Sequence, residues 1–218
     1  MSPWRDPAVA SIEDDESGHD LGRVLALSDG VFAIALTVLV LEIALPATTT
    51  ARTLGQDLRD LGPKYFAYAL SFFTIGTLWL IHRLVFRRIA RTNTTLLIIN
   101  LLLLMGVAFL PFPTAVLGEF GDNSTATVFY ASVMTVTSCL SSGLWWYASG
   151  DRALLRPGTG PDWIRAGRIR ALVGPTVFAL SIPVAAFAPY AAVVMWLLTF
   201  PLRLVVPRFI GGASADDD

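Results

Sequence analysis

The sequence predicts an all-α, polytopic membrane protein with six transmembrane helices, and three observations carry that prediction. Of 218 residues, 54% are hydrophobic and 15% charged, against about 25% charged in ordinary globular domains. Mean hydropathy is +0.61. The apolar residues gather into runs of about 20, the length a helix needs to cross a hydrocarbon core. Arginines collect between alternate runs, as they do on one side of a membrane.

Composition also excludes partners and chemistries. A net charge of −1 and a pI near 6.1 leave no basic domain for nucleic acid. One cysteine, Cys139, permits no disulfide within the chain and no thiolate metal cluster, and in its apolar run it reads as a small buried hydrophobe. The only histidines are His19 and His82, too few for a multi-histidine zinc site. No cofactor is implied.

In chain order, residues 1–21 are polar and acidic and read as a disordered cytoplasmic tail. They lack the basic-then-apolar order of a cleaved signal peptide. The six-helix transmembrane domain then covers 22–208. Its first span is Arg23 to Leu45. A polar connector follows, with helical character near Leu54 to Leu61. The second span runs from Lys64 to Arg88. The third starts near Asn93 and should kink or finish at Pro111 and Pro113, because proline lacks the backbone donor and clashes with the preceding turn. A short acidic loop, 118–124, leads to the fourth span, Thr125 to Ala148, whose Trp145, Trp146 and Tyr147 suit a membrane interface. The arginine-rich stretch 150–170 reads as a linker to the fifth span, Ala171 to Phe187. Pro189 and Tyr190 turn the chain tightly into the sixth, which closes near Pro207. Residues 209–218 read as a second disordered tail.

Arginines choose the orientation. Arg83, Arg87, Arg88 and Arg91 separate spans two and three, and Arg152, Arg156, Arg165, Arg168 and Arg170 separate four and five. By the positive-inside rule these segments are cytoplasmic, and so are both termini of a multi-pass protein in the inner (plasma) membrane. The first loop dissents, with Arg52, Arg59 and Lys64 outside beside Asp57 and Asp60. No internal repeat supports an inverted-repeat transporter.

The first span is the unusual one. Asp29 stands inside it, six positions after Arg23, and a carboxylate at mid-span costs about 2.5 to 3.5 kcal/mol on insertion scales. Such a group normally faces protein or water, although Asp29 could simply anchor the helix end. Gly30, Ile34, Thr37, Leu41 and Leu45 share one stripe, since residues three and four apart stack on one face. Copies of this helix around an axis would present rings of isoleucine, threonine and leucine, a narrow pore with hydrophobic constrictions that gates by dewetting. Ordinary helix packing would produce the same periodicity.

The motif Arg23-x-x-x-Leu27-Ser28-Asp29-Gly30-Val31-Phe32-Ala33-Ile34-Ala35 resembles the Arg-x-x-x-Phe-Ser-Asp signature of the transmembrane protein 175 potassium channels, in the bacterial form with one six-helix unit per chain. Leu27 stands where that family usually has phenylalanine. The resemblance implies a homotetramer in the lipid bilayer, with the first helices lining a central pore for potassium ions. It implies Ile34 as main constriction, Leu41 as a second, and Thr37 as the layer that partly replaces the ion's hydration, with no metal beyond K+ passing there. Selectivity should be modest, because the chain has no carbonyl-cage loop.

At 1.5 Å per residue, Ser28, Asp29, His82 and Asn100 fall in one layer, with Trp79 one turn from His82. These groups read as a hydrogen-bonded network, since unpaired polar groups are costly in the membrane. The resemblance likewise implies that Trp79, His82 and Asn100 brace Arg23, Ser28 and Asp29. Where the family usually has a second histidine, this chain has Arg83. An enzymatic use of Asp29 with His82 lacks any nucleophile, metal-ligand or phosphate-loop motif beside it. A proton-coupled transporter using the same pair, and a non-conducting scaffold, remain alternatives. Glu42 is read either as an acidic ring at the outer mouth or as a salt-bridge partner of Arg52 or Lys64.

Overall fold

The computed structural model describes residues 7–198, with side chains from residue 20 onward. Those residues are helical throughout their regular structure. The helices are α1 (Pro7–Val38), α2 (Leu54–Asp60), α3 (Gly62–Phe86), α4 (Thr94–Phe109), α5 (Pro111–Phe120), α6 (Ser124–Gly150) and α7 (Pro161–Phe187). A short α8, Pro189–Leu198, follows.

Five stretches are long and apolar enough to cross a membrane: Asp20–Glu42, Gly62–Phe86, Thr94–Phe120, Ser124–Gly150 and Pro161–Phe187. The sixth expected span begins as α8, and its continuation to Pro207 lies outside the described residues, as does the tail 209–218. Two boundaries differ from the sequence reading. α1 is described from Pro7, so helix covers most of the stretch read as a disordered tail. Extending a helix already nucleated by a span adds one bond per residue fixed, which favours such a continuation. α7 starts at Pro161, ten residues ahead of the expected Ala171. Pro161 sits at the first helical position, where its missing N–H and fixed φ fit. The second half of the arginine-rich linker is therefore the first turns of a helix.

At the third span, Leu110 separates α4 from α5, and Pro111 opens the new helix, so the prolines kink the span and do not finish it. Pro175 and Pro183 lie inside α7. Pro175 deprives the Ala171 carbonyl of its usual donor, and the Ser142 hydroxyl of α6 donates to that carbonyl instead. α6 and α7 pack together along their lengths, α4 lies against α6, and α3 against α5. Small residues permit the closeness: a Cβ on Gly106 of α4 would stand 2.9 Å from Thr137 Oγ1, and one on Gly167 of α7 would stand 2.8 Å from Trp145 Nε1.

The arginine-bearing turns lie at one end of the bundle and pair with each other. Ala90 donates to the Leu154 carbonyl at 2.8 Å and Arg156 to the Arg88 carbonyl at 2.8 Å, across the bridge between Ile89 and Leu155. Cys139 is exposed on α6, contrary to the expectation of burial. In a membrane protein the outward face is itself apolar, so hydrophobicity does not distinguish core from lipid side. α1 packs chiefly on α3 and α4, at the edge of the bundle.

Candidate functional site

Two opposite faces of α1 have different fates. Leu21, Ser28, Phe32, Ala35 and Leu39, spaced by three, four and seven, are buried against the bundle. Gly30, Ile34, Thr37, Leu41 and Leu45 are exposed, Ile34 at 63% and Leu41 at 71%. A Cβ on Gly30 would meet nothing within 4 Å. Only 22% of the α1 span is buried, against 44% for α3. α7 is equally uncovered, but its large exposed side chains, Ile169, Leu172, Leu180 and Phe187, suit lipid. The uncovered side of α1 instead mixes isoleucine and leucine with Gly30, Thr37, Asp29 and Glu42.

The buried face is held by a chain of hydrogen bonds. Ser28, on α1, donates its hydroxyl to the Val24 carbonyl at 2.8 Å. Its oxygen is therefore free to accept, and Asn100 Nδ2 on α4 donates to it at 3.1 Å. That orientation turns Asn100 Oδ1 to His82 Nε2 on α3, 2.9 Å away, so Nε2 carries the proton. Three helices are thereby joined through side chains that are each 2% exposed or less. The His82 ring stacks on Phe86 with centroids 4.3 Å apart and meets Phe32 of α1 at 5.5 Å. Its Nδ1 is buried without a partner among the described residues.

Asp29 is secured separately. Trp79 Nε1 donates to its Oδ1 at 2.8 Å, and the Arg83 guanidinium lies 5.7 Å from the Trp79 ring. The structure thus brings together Ser28, His82 and Asn100 in one chain of bonds and Asp29 with Trp79 in another. It does not bring in Arg23, which is exposed and forms no hydrogen bond or ion pair with the described residues. Six residues at 3.6 per turn place Arg23 about two-thirds of a turn around from Asp29, toward the uncovered stripe. Leu27 lies on that stripe too, 53% exposed.

Thr37 has a particular posture. Its hydroxyl is 3.0 Å from the Ala33 carbonyl and 2.9 Å from that of Ile34. With its proton given to its own helix, the oxygen presents lone pairs outward, as a cation would require. Glu42 closes a 3-10 turn, Leu39–Glu42, and stays exposed. Neither salt bridge considered for it forms, because Lys64 pairs with Glu119 at 2.7 Å and Arg52 is not joined to it. Among the described residues no group of three His, Cys, Asp or Glu could hold a metal ion.

Some of the brace was not foreseen. Phe32 and Phe86, each 1% exposed, clasp His82. The cue was available, as Phe32 follows Ser28 by four and Phe86 follows His82 by four. A second buried polar group, Ser71 with Thr114 at 2.8 Å and with Tyr130 at 3.0 Å, joins α3, α5 and α6. Nothing local in the sequence marks that trio.

Comparison with known proteins gives a consistent set of relatives. A family model described as the endosomal/lysosomal potassium channel TMEM175 matches residues 23–111. A Streptomyces collinus protein named a potassium channel is 37% identical over 171 residues, spanning 77% of this chain and 83% of its own length. The crystal structure of a lysosomal potassium-selective channel TMEM175 homolog from Chamaesiphon minutus superposes with a TM-score of 0.75 at 32% identity, covering 86% of this chain and 98% of the other. The Gallus gallus endosomal/lysosomal proton channel TMEM175 is 32% identical over 141 residues, which is 61% of this chain and 28% of that protein.

Proposed function

The chain belongs to the family of the endosomal/lysosomal potassium channel TMEM175, and from that premise we propose that copies of it assemble around α1 as a passive, potassium-permeable channel. It is a channel and not an enzyme. The observation that carries the pore assignment is the uncovered stripe Gly30, Ile34, Thr37, Leu41, left bare by its own chain while the other face of α1 is bonded to α3 and α4. In a homotetramer with both termini cytoplasmic, in the plasma membrane, that stripe faces the axis. Ile34 forms the main constriction and Leu41 the second, closing by dewetting. Between them Thr37 offers outward lone pairs that replace part of the K+ hydration shell. Glu42, exposed and without an ion-pair partner among the described residues, gathers cations at the outer mouth. The Ser28, Asn100 and His82 chain and the Asp29 to Trp79 bond hold the pore helix to the bundle.

The test is potassium efflux from liposomes holding the purified full-length protein, with sodium and proton-only controls. Efflux that favours K+ over Na+, with the preference lowered by Thr37→Ala, supports a channel whose discrimination resides on α1. Ile34→Asn should raise conductance and Ile34→Trp should block it. Flux that needs an imposed proton gradient would overturn passive conduction in favour of proton coupling. Conductance unaltered by either Ile34 substitution would remove that side chain from the pore.

A further inference from the structure

A cavity of about 240 Å³ lies between α3, α6 and α7, partly open and near the arginine-bearing end of the bundle. Its walls are apolar, including Leu78, Ile81 and Leu84 of α3, Trp145 of α6 and Val173 of α7. On α3, Ile81 and Leu84 lie about 100° or more around the helix from both Trp79 and His82, while Leu78 and Val85 border the His82 face. From Leu78 to Val85 the wall extends about 10 Å along the helix.

Three features separate this hollow from a gap in ordinary packing. Arg170 lines it, is exposed, and has neither hydrogen bond nor ion pair with the described residues. Trp163, also in the lining, carries the Arg88 guanidinium 4.5 Å above its ring, which sets a second cation beside the opening. Ser138 Oγ and Trp145 Nε1, both from lining residues, are buried without partners among the described residues, whereas most buried polar atoms in a closed core are paired. A slot with apolar walls and cations at one end is complementary to an amphiphile with a negative head.

We propose that this cavity holds an acyl chain of an anionic phospholipid from the arginine-bearing leaflet, with the phosphate at Arg170 and Arg88. Arginine matches phosphate geometry by its planar fork, and basic pockets between transmembrane helices suit anionic head groups. A zwitterionic lipid brings a phosphate but no net charge, so it offsets the two guanidinium charges less than an anionic lipid does. A second copy of the chain would need a negative side chain to meet them.

The experiment is native mass spectrometry of the full-length protein, released from vesicles of equimolar phosphatidylglycerol and phosphatidylcholine. The wild type should retain phosphatidylglycerol preferentially. Arg170→Gln should lower the retained ratio about fivefold, the factor for one arginine near the head group. Val173→Trp, which fills the slot from its wall, should lose both lipids. Thermal unfolding in detergent identifies any variant that fails to fold. Equal retention of the two lipids by the wild type, or an unchanged ratio in folded Arg170→Gln, would overturn the proposal. So would efficient crosslinking of Val173→Cys, in a Cys139→Ala background, to a neighbouring copy, because the slot would then be an interface between subunits.

Discussion

Asn100 commits both ends of its amide, Nδ2 to Ser28 on α1 and Oδ1 to His82 on α3, and it does so at 2% exposure. Asn100→Ala would leave the His82 Nε2 proton and the Ser28 oxygen buried and unmatched. An unsatisfied buried group costs about 1 to 3 kcal/mol, so the variant should unfold at a distinctly lower temperature in detergent and release α1 from the bundle. A wild-type unfolding midpoint in Asn100→Ala would deny the bracing role. At this scale the sequence was informative: Ser28, His82 and Asn100 could be placed at one depth by counting residues from the ends of their spans. What counting lacked was direction. Depth alone grouped Asp29 with His82, yet the helix turn carries Asp29 to Trp79 and leaves Arg23 outside both sets of bonds.

Between elements, contact is set by small residues more than by large ones. α4 approaches α6 where Gly106 meets Thr137, with 2.9 Å between a hypothetical Cβ and the Thr137 hydroxyl. Gly106→Leu should force the two helices apart and cost about 1 to 3 kcal/mol by overpacking. Gly30→Ala is the control, because a Cβ there has open space within the chain and alanine is the better helix former by about 1 kcal/mol. Thermal unfolding should therefore fall for Gly106→Leu and hold for Gly30→Ala; equal midpoints would contradict the packing. Spans two to five were legible because a bilayer demands long apolar runs, and the structure keeps them within a few residues at most ends. The start of α7 was not, since Arg165, Arg168 and Arg170 look like a loop when charge alone is read. In the structure those residues ride on helix: Arg168 donates to Ser149 at 2.8 Å and Trp163 meets Trp145 with ring centroids 5.2 Å apart.

For the molecule as a whole, the open question is which bare face meets another copy. Large apolar side chains are exposed on α3, α4 and α7 as well as on α1, and lipid satisfies such surfaces as well as protein does. Along its bare stripe α1 also exposes Gly30, Thr37, Asp29 and Glu42, and a carboxylate is a group that lipid does not satisfy. The chain supplies a clean way to ask, because its one cysteine, Cys139, is exposed and replaceable. In a Cys139→Ala background, Ile34→Cys and Leu180→Cys each carry one thiol, the first on the α1 stripe and the second on the outward face of α7. A short thiol-to-thiol crosslinker should convert Ile34→Cys to covalent dimers in the membrane and leave Leu180→Cys monomeric. Dimers are the ceiling, since each chain offers one thiol, so the tetramer itself must be read from the mass of the detergent-solubilised complex, about four times the 23.6 kDa chain. If Leu180→Cys crosslinks and Ile34→Cys does not, the axis runs along α7, and the bare stripe of α1 is a lipid face whose polar groups need another explanation.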